Sequence, residues 1–377
     1  MQVVLDELPA RWPAAPAWSA EFLTAFLPLS SAEFLAPLHV GATPLLEVPL
    51  LRRRLGLPRL WIKDDTRNPS GSTKDRASLL VVAKAREYGC DTVATASTGN
   101  AATALAAIAA ASGVRAVALV PHTTPEAKLV QMLSYGAEVI AVEGTYDDAF
   151  ELCLEACEEF GWYNRNTALN PFTIEGKKTV ALEIAAQSTP DVPDAVLIPT
   201  GDGAIIAGVA KGFADLERAG LIDRCPRLVA VQPEGSAAIV NALASGASAP
   251  TLVPDAHSVA DSLTVQMPRN GLDALKRIRE SGGGGVKVSD DAIVEAIALL
   301  ASHTGVFAEP AGAASLAGLL VALDEGLVGR EEHLVLLVTG TGLKDIPAAS
   351  RAVCKPLPIP PTLEAVAQRM QARTAAS

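Results

Sequence analysis

Asp91 to Val120 reads DTVATASTGNAATALAAIAAASGVRAVALV. DTVATA has the β-branched, apolar composition of a short buried strand, and VRAVALV repeats it about twenty residues later. Between them, Asn100 to Ala111 is Ala-rich, the composition of a good helix former. Strand, helix, strand at this spacing predicts two parallel neighbours joined by a crossover helix.

The same rhythm extends both ways along the chain. Upstream, Leu60-Trp61-Ile62 reads as a strand and the segment from Asp75 as a helix. Downstream, strands are expected at Ala137–Val142, Ala195–Pro199, Leu228–Gln232 and Leu334–Thr339. Helices are expected at Pro125–Tyr135, Tyr146–Phe160, Glu175–Gln187, Ala204–Ala219, Asp290–Ser302 and Ala311–Asp324. This alternation predicts an α/β architecture of parallel sheets covered by helices. Gly282 to Gly285 reads as a flexible four-glycine connector. The first 40 or so residues, rich in Pro and Ala, read as an arm, and the last stretch as a Pro cluster followed by a short amphipathic helix.

Composition removes whole classes of function. The 377 residues carry 31 Lys+Arg against 42 Asp+Glu, a net charge of −11, and aromatics are only 4%. A nucleic-acid binder needs a basic patch and stacking rings, and a peripheral membrane protein needs a basic face, so neither is expected. The apolar run Ala101–Val114 is too short and too interrupted to span a bilayer. The opening MQVVLDELPARW has no basic region followed by an apolar one, so no secretory signal is expected. Five scattered cysteines suggest reduced thiols and a cytoplasmic protein. Cys153 and Cys157 share a helix face but have no histidine nearby, and no metal site is expected.

In open parallel sheets, ligands bind beyond the carboxyl ends of the strands. Four loops lie there. In Asn68-Pro-Ser-Gly-Ser-Thr-Lys-Asp-Arg76, Lys74 is either a solvated loop lysine or a nucleophile, its pKa lowered by the helix N-terminus and Arg76. Ser97-Thr98-Gly99-Asn100 is either an ordinary helix cap or a carboxylate cradle of hydroxyls and backbone amides. Gly201-Asp202-Gly203-Ala204-Ile205 enters a helix without the Gly-Lys-Ser/Thr of a Walker loop or the third glycine of a dinucleotide fingerprint. It suits a single phosphate, provided Asp202 points away. Thr339-Gly-Thr-Gly-Leu-Lys-Asp345 is a tight glycine turn with a hydroxyl at a strand end. A lysine nucleophile, a carboxylate cradle, a phosphate cradle and that hydroxyl together match pyridoxal 5'-phosphate carrying an amino acid.

Five segments extend this match: Lys63-Asp-Asp-Thr-Arg-Asn-Pro-Ser-Gly-Ser-Thr-Lys-Asp-Arg76, Ser97–Asn100, Asn170-Pro-Phe-Thr-Ile-Glu-Gly-Lys-Lys-Thr179, Glu309-Pro-Ala-Gly312 and Thr339–Asp345. In this order, over residues 40 to 350, the chain resembles the threonine synthase family of the tryptophan synthase β-like enzymes. The resemblance implies fold type II, two doubly wound αβα domains with pyridoxal 5'-phosphate in the cleft between them. It implies an arm at 1–40, a cofactor domain at 41–83 plus 175–350, a substrate-carboxylate domain at 84–174, and a tail at 351–377. Lys74 would be the Schiff-base lysine and proton shuttle, and Asn100 would meet the cofactor's ring hydroxyl. Ser97, Thr98 and Gly99 would hold the substrate carboxylate. Gly201, Asp202, Gly203, Ala204 and Ile205 would hold the cofactor phosphate. Thr339 would face the pyridine nitrogen, where a hydroxyl does not force protonation.

The implied reaction is a carbon–oxygen lyase step: O-phospho-L-homoserine and water give L-threonine and phosphate, in a homodimer. The chain departs from the family pattern at Thr73, where Phe is usual, and at Asp202–Ile205, where Asn-Ala-Gly-Asn is usual. It also has Thr173 where many members place a phosphate-holding arginine, so Arg165, Lys177, Lys178 and Arg269 become candidates for that charge. Three other readings are a β-eliminating or β-replacing enzyme on serine-, threonine- or phosphoserine-like substrates, a catalytically silent binder of this fold, and a nicotinamide-dependent oxidoreductase, which the missing third glycine disfavours.

Overall fold

The structure, a computed structural model, describes residues 3–13, 19–124, 126–167 and 169–374. Its described strands are β1 (Leu45–Glu47), β2 (Leu60–Asp64), β3 (Thr92–Ala96), β4 (Arg115–Pro121), β5 (Glu138–Val142), β6 (Tyr163–Asn164), β7 (Ala195–Pro199), β8 (Arg227–Pro233), β9 (Gly284–Val288) and β10 (Leu334–Val338). They form two sheets. The larger has the order β1-β2-β10-β7-β8-β9 and the smaller β5-β4-β3-β6. All pairings are parallel except β1 with β2.

The apolar strands are buried on both faces because each alternates between two cores. In β7, Val196 and Ile198 face one core while Ala195 and Leu197 face the other. In β10, Val335 and Leu337 face the first core and Leu334, Leu336 and Val338 the second. The N-terminal segment packs rather than trails: Phe22 and Phe26 are buried, and the Trp12 ring lies 6.2 Å from that of Phe22.

Two expectations are corrected. The helix expected over Glu175–Gln187 begins earlier and is split at Lys178, into Phe172–Lys177 and Thr179–Ser188. The early start follows from Asn170, whose Oδ1 accepts the Phe172 N–H at 3.0 Å. Pro125, the expected start of the helix ending near Tyr135, lies outside the described residues.

The four glycines are not a loose connector. Gly282 closes the preceding helix with φ +66°, and Gly284 and Gly285 open β9, opposite Val229 and Ala230 of β8. Glycine is needed for close approach: a Cβ on Gly283 would stand 2.0 Å from the Leu228 carbonyl oxygen, a backbone atom that cannot swing aside. Gly283→Ala is therefore expected to cost about 1–3 kcal/mol of stability. An unchanged urea midpoint in that variant would contradict the close fit.

Candidate active site

Loops leaving β2, β3, β7 and β10 at their carboxyl ends converge on a cavity of about 440 Å³. Lys74 opens the helix Lys74–Glu87, and backbone bonds to the end of β10 fix its start. The Thr73 N–H donates to the Thr339 carbonyl at 2.8 Å, and the Thr341 N–H to the Gly71 carbonyl at 3.0 Å. Ser72 and Gly340 form a bridge between them. Lys74 and Thr339 therefore line one cavity although 265 positions separate them, 339 minus 74.

The pKa of the Lys74 ammonium is lowered, as expected, but Arg76 is not the cause. Burial lowers it most; Asp202 opposes this, Arg165 adds to it, and Glu309 opposes it. Arg76 is fully committed elsewhere. Its guanidinium holds Asp65 through two bonds of 2.8 Å and Glu183 through bonds of 2.7 and 2.8 Å.

Ser97, Thr98, Gly99 and Asn100 all line the cavity. Asn166 secures the strand end before them: its Oδ1 accepts the Ala96 N–H at 2.9 Å and the Thr95 hydroxyl at 3.1 Å. Asn100 Nδ2 donates to Glu309 Oε1 at 2.8 Å. Burial raises the Glu309 carboxyl to about 7, with Lys344, Asn100 and Lys74 holding it back. A larger hollow of about 990 Å³ shares Thr98, Gly99, Asn100 and Glu309 with the first.

Gly201, Asp202, Gly203 and Ile205 line the cavity, whereas Ala204 does not. Gly203 has φ +92°, and a Cβ there would meet Asn270 O at 3.0 Å and Ala274 Cβ at 2.8 Å, so the loop's backbone conformation and its packing against that segment require glycine. Asp202 turns back onto its own loop: Oδ1 accepts the Ala204 N–H at 3.0 Å. That carboxylate sits on the first amide of the following helix and faces the cavity, where its charge acts on Lys74, Arg165 and Lys177, rather than pointing away as expected.

Of the four candidate cations, three line the cavity: Arg165, Lys177 and Arg269. Lys178 does not. It is buried in an ion cluster with Glu175 at 2.7 Å and Asp215 at 2.9 Å. Arg269 stacks 3.7 Å above the Phe150 ring and pairs with Asp147 at 3.5 Å.

Sequence reasoning missed Tyr146, Asn166, Thr167 and the segment from Asp261 to Val265, all of which line the cavity. Tyr146 OH donates to the Ala96 carbonyl at 3.1 Å. The segment follows no strand, so a search confined to strand ends passes over it. Its Leu263 backbone stands 3.2 Å from where a Gly201 Cβ would be, which gives that glycine its reason.

Residues 36–340 match the family model described as "Pyridoxal-phosphate dependent enzyme". The chain is 39% identical over 335 residues to the protein named threonine synthase in Methanocaldococcus jannaschii, covering 89% of this chain and 82% of that one. It is 37% identical over 347 residues to the threonine synthase of Synechocystis sp., covering 90% and 88%. Among solved structures, the processed form of threonine deaminase isoform 2 from Solanum lycopersicum superposes with a TM-score of 0.72 and 24% identity. That match covers 94% of this chain and 98% of the other. It shows a shared fold.

Proposed function

The chain belongs to the threonine synthases among the pyridoxal-phosphate dependent enzymes, and on that premise we propose that it converts O-phospho-L-homoserine and water to L-threonine and phosphate. The observation that carries the site assignment is the convergence of Lys74, the Ser97–Asn100 loop, the 201–205 loop and Thr339 on one cavity.

The cavity suits the cofactor. A glycine-containing loop lines the cavity at the phosphate position, and behind the Ala204 amide, which Asp202 holds, the Ile205 and Ile206 amides that open the helix Ala204–Arg218 have no carbonyl of their own helix to bond. When bound, pyridoxal 5'-phosphate would stabilise the negative charge that deprotonation leaves on the substrate's Cα. Lys74 would hold the cofactor covalently before substrate arrives and then carry protons at successive substrate carbons. A lysine whose ammonium is destabilised by burial is suited to accepting and returning them. Ser97, Thr98 and Gly99 would bind the substrate carboxylate, fixing which Cα bond faces Lys74. Asn100 would orient the cofactor ring, and Thr339 would lie beside its nitrogen without donating a full proton. Phosphate then leaves from the γ carbon and water adds at the β carbon.

We take 84–174 as the unit that binds the substrate carboxylate and 41–83 plus 175–350 as the cofactor unit, with 1–40 as arm and 351–377 as tail. Support comes from sheet membership: β3 to β6 form one sheet and the other strands a second. We read the protein as a cytoplasmic homodimer. The exposed apolar residues Leu343, Ile346, Val353 and Leu357 support an interface, and five free cysteines support a reducing compartment.

The deciding experiment supplies the holoenzyme with O-phospho-L-homoserine, serine and threonine separately. Stoichiometric phosphate and threonine from the first substrate is the expected result. Keto acid from serine or threonine, without phosphate release, would instead assign the chain to the eliminating enzymes that share this fold.

A further inference from the structure

Two buried side-chain nitrogens in the cavity wall, Lys177 Nζ and Arg165 Nη2, are inaccessible to solvent and make no hydrogen bond among the described residues. Each residue is 1% exposed, and each lines the cavity. The other guanidinium nitrogens of Arg165 are engaged, Nη1 with Thr167 Oγ1 at 3.1 Å and Nε with Ser78 Oγ at 3.4 Å, which aims the remaining one. A buried charged donor without an acceptor is costly, and an anion held between the two side chains would relieve that cost.

Burial pushes the Lys177 ammonium well below its ordinary range. The charges of Lys74 and Arg165 push the same way, and Asp202 alone opposes them. These are the charged groups that face it. Arg165 is lowered only to about 10, by burial against Asp202, and stays cationic at neutral pH.

Thr173 cannot supply the missing arginine's charge, and it turns away. Its hydroxyl donates to the Thr167 and Asn170 carbonyls at 3.1 and 2.8 Å, and it does not line the cavity. Lys177 lies four residues later, one turn along the same helix. We propose that Lys177 and Arg165 grip the substrate's phosphate, replacing from one turn away the arginine that position 173 lacks. This rests on the synthase reading above.

Two features favour the substrate's phosphate over the cofactor's. The cofactor's phosphate has an amide cradle of its own at 201–205. Arg165 belongs to the opposite wall: its N–H donates to the Ala94 carbonyl at 2.8 Å, beside the strand end that leads to the carboxylate loop. An anion between Arg165 and Lys177 therefore lies near the substrate's carboxylate site. A phosphate monoester carries about −1.5 to −2 charges near pH 7, enough to pair with the Arg165 guanidinium and to favour the charged form of Lys177 beside it.

The test compares wild-type holoenzyme with Lys177→Met and Lys177→Arg. It measures KM and kcat for O-phospho-L-homoserine, binding of inorganic phosphate by calorimetry, and cofactor affinity from its visible absorbance. Lys177→Met is expected to raise KM and weaken inorganic phosphate by about 10- to 100-fold, the worth of one charge-assisted bond. Cofactor affinity should change less than about twofold, and Lys177→Arg should recover most of the loss. Unchanged KM and phosphate binding would overturn the proposal. So would weakened cofactor binding with phosphate binding intact, which would give Lys177 to the cofactor's phosphate. If Lys177→Met does not fold, Lys177→Gln is measured in its place. Should the wild type fail to turn over O-phospho-L-homoserine, the synthase reading falls, while the calorimetric comparison still decides the anion site.

Discussion

Lys74→Ala is expected to lower phosphate release from O-phospho-L-homoserine by about 10³- to 10⁴-fold, with the fold intact. Two losses combine in that figure. The variant cannot attach the cofactor covalently, and it removes the group that carries protons at the substrate's carbons, a role worth roughly 10²–10⁴ by itself. Lys74→Arg should be nearly as inactive, because a guanidinium neither condenses with an aldehyde nor gives up its proton near neutral pH. The cavity should stay open in both, since backbone atoms of Thr73 and Thr339 hold the loop in place. Single-turnover phosphate release and the cofactor's visible absorbance check this. A Lys74→Ala protein that keeps the wild-type yellow band and rate would remove Lys74 from the chemistry.

Glu183→Ala should have the largest effect on stability. Glu183 is buried between Arg76 and Lys63, whose Nζ lies 2.7 Å from its Oε2. Lys63 also donates to Gln187 Oε1 at 2.8 Å, and Asp65 shares Arg76. Removing the carboxylate leaves two buried cations with one carboxylate between them, at a cost of about 3–5 kcal/mol. Urea unfolding measures it, and a midpoint within error of wild type would refute it. The cluster also predicts acid sensitivity. Burial alone would raise the Glu183 pKa, but Arg76 and Lys63 outweigh it and bring it to about 2 from an ordinary 4.5. A carboxylate with a depressed folded-state pKa contributes stability that is fully present above its unfolded pKa. That contribution should fade as pH falls from about 4.5 towards 2, and Glu183→Ala should flatten this limb of the stability profile.

Most of the strand–helix order was legible because buried parallel strands are continuous apolar runs, and VRAVALV and HLVLLV can hardly be anything else. The loops at their carboxyl ends were legible for the same reason, and Lys74, Asn100, Gly201 and Thr339, which lie in them, line one cavity. β9 was not. Its first two residues are glycines kept small by Leu327 on one side and by Val240 and Leu243 on the other. A tertiary reason for glycine looks, in sequence, like flexibility. Arg76 misled differently: it is two residues from Lys74, yet its charge is consumed by Asp65 and Glu183. The unpaired state of Lys177 has no sequence signature, because it depends on which acids do not reach it.

The place of β10 bears on how the molecule is made. β10 comes last among the strands, yet it lies between β2 and β7 in the larger sheet. While the ribosome is still adding residues before Leu334, β2 and β7 have no neighbour on their facing edges. Those unpaired edges, Leu60–Asp64 and Ala195–Pro199, are open to association with other nascent chains. The growing polypeptide must therefore be shielded until Leu334–Val338 has emerged. A chain cut short before Leu334 should aggregate rather than persist as a soluble fragment.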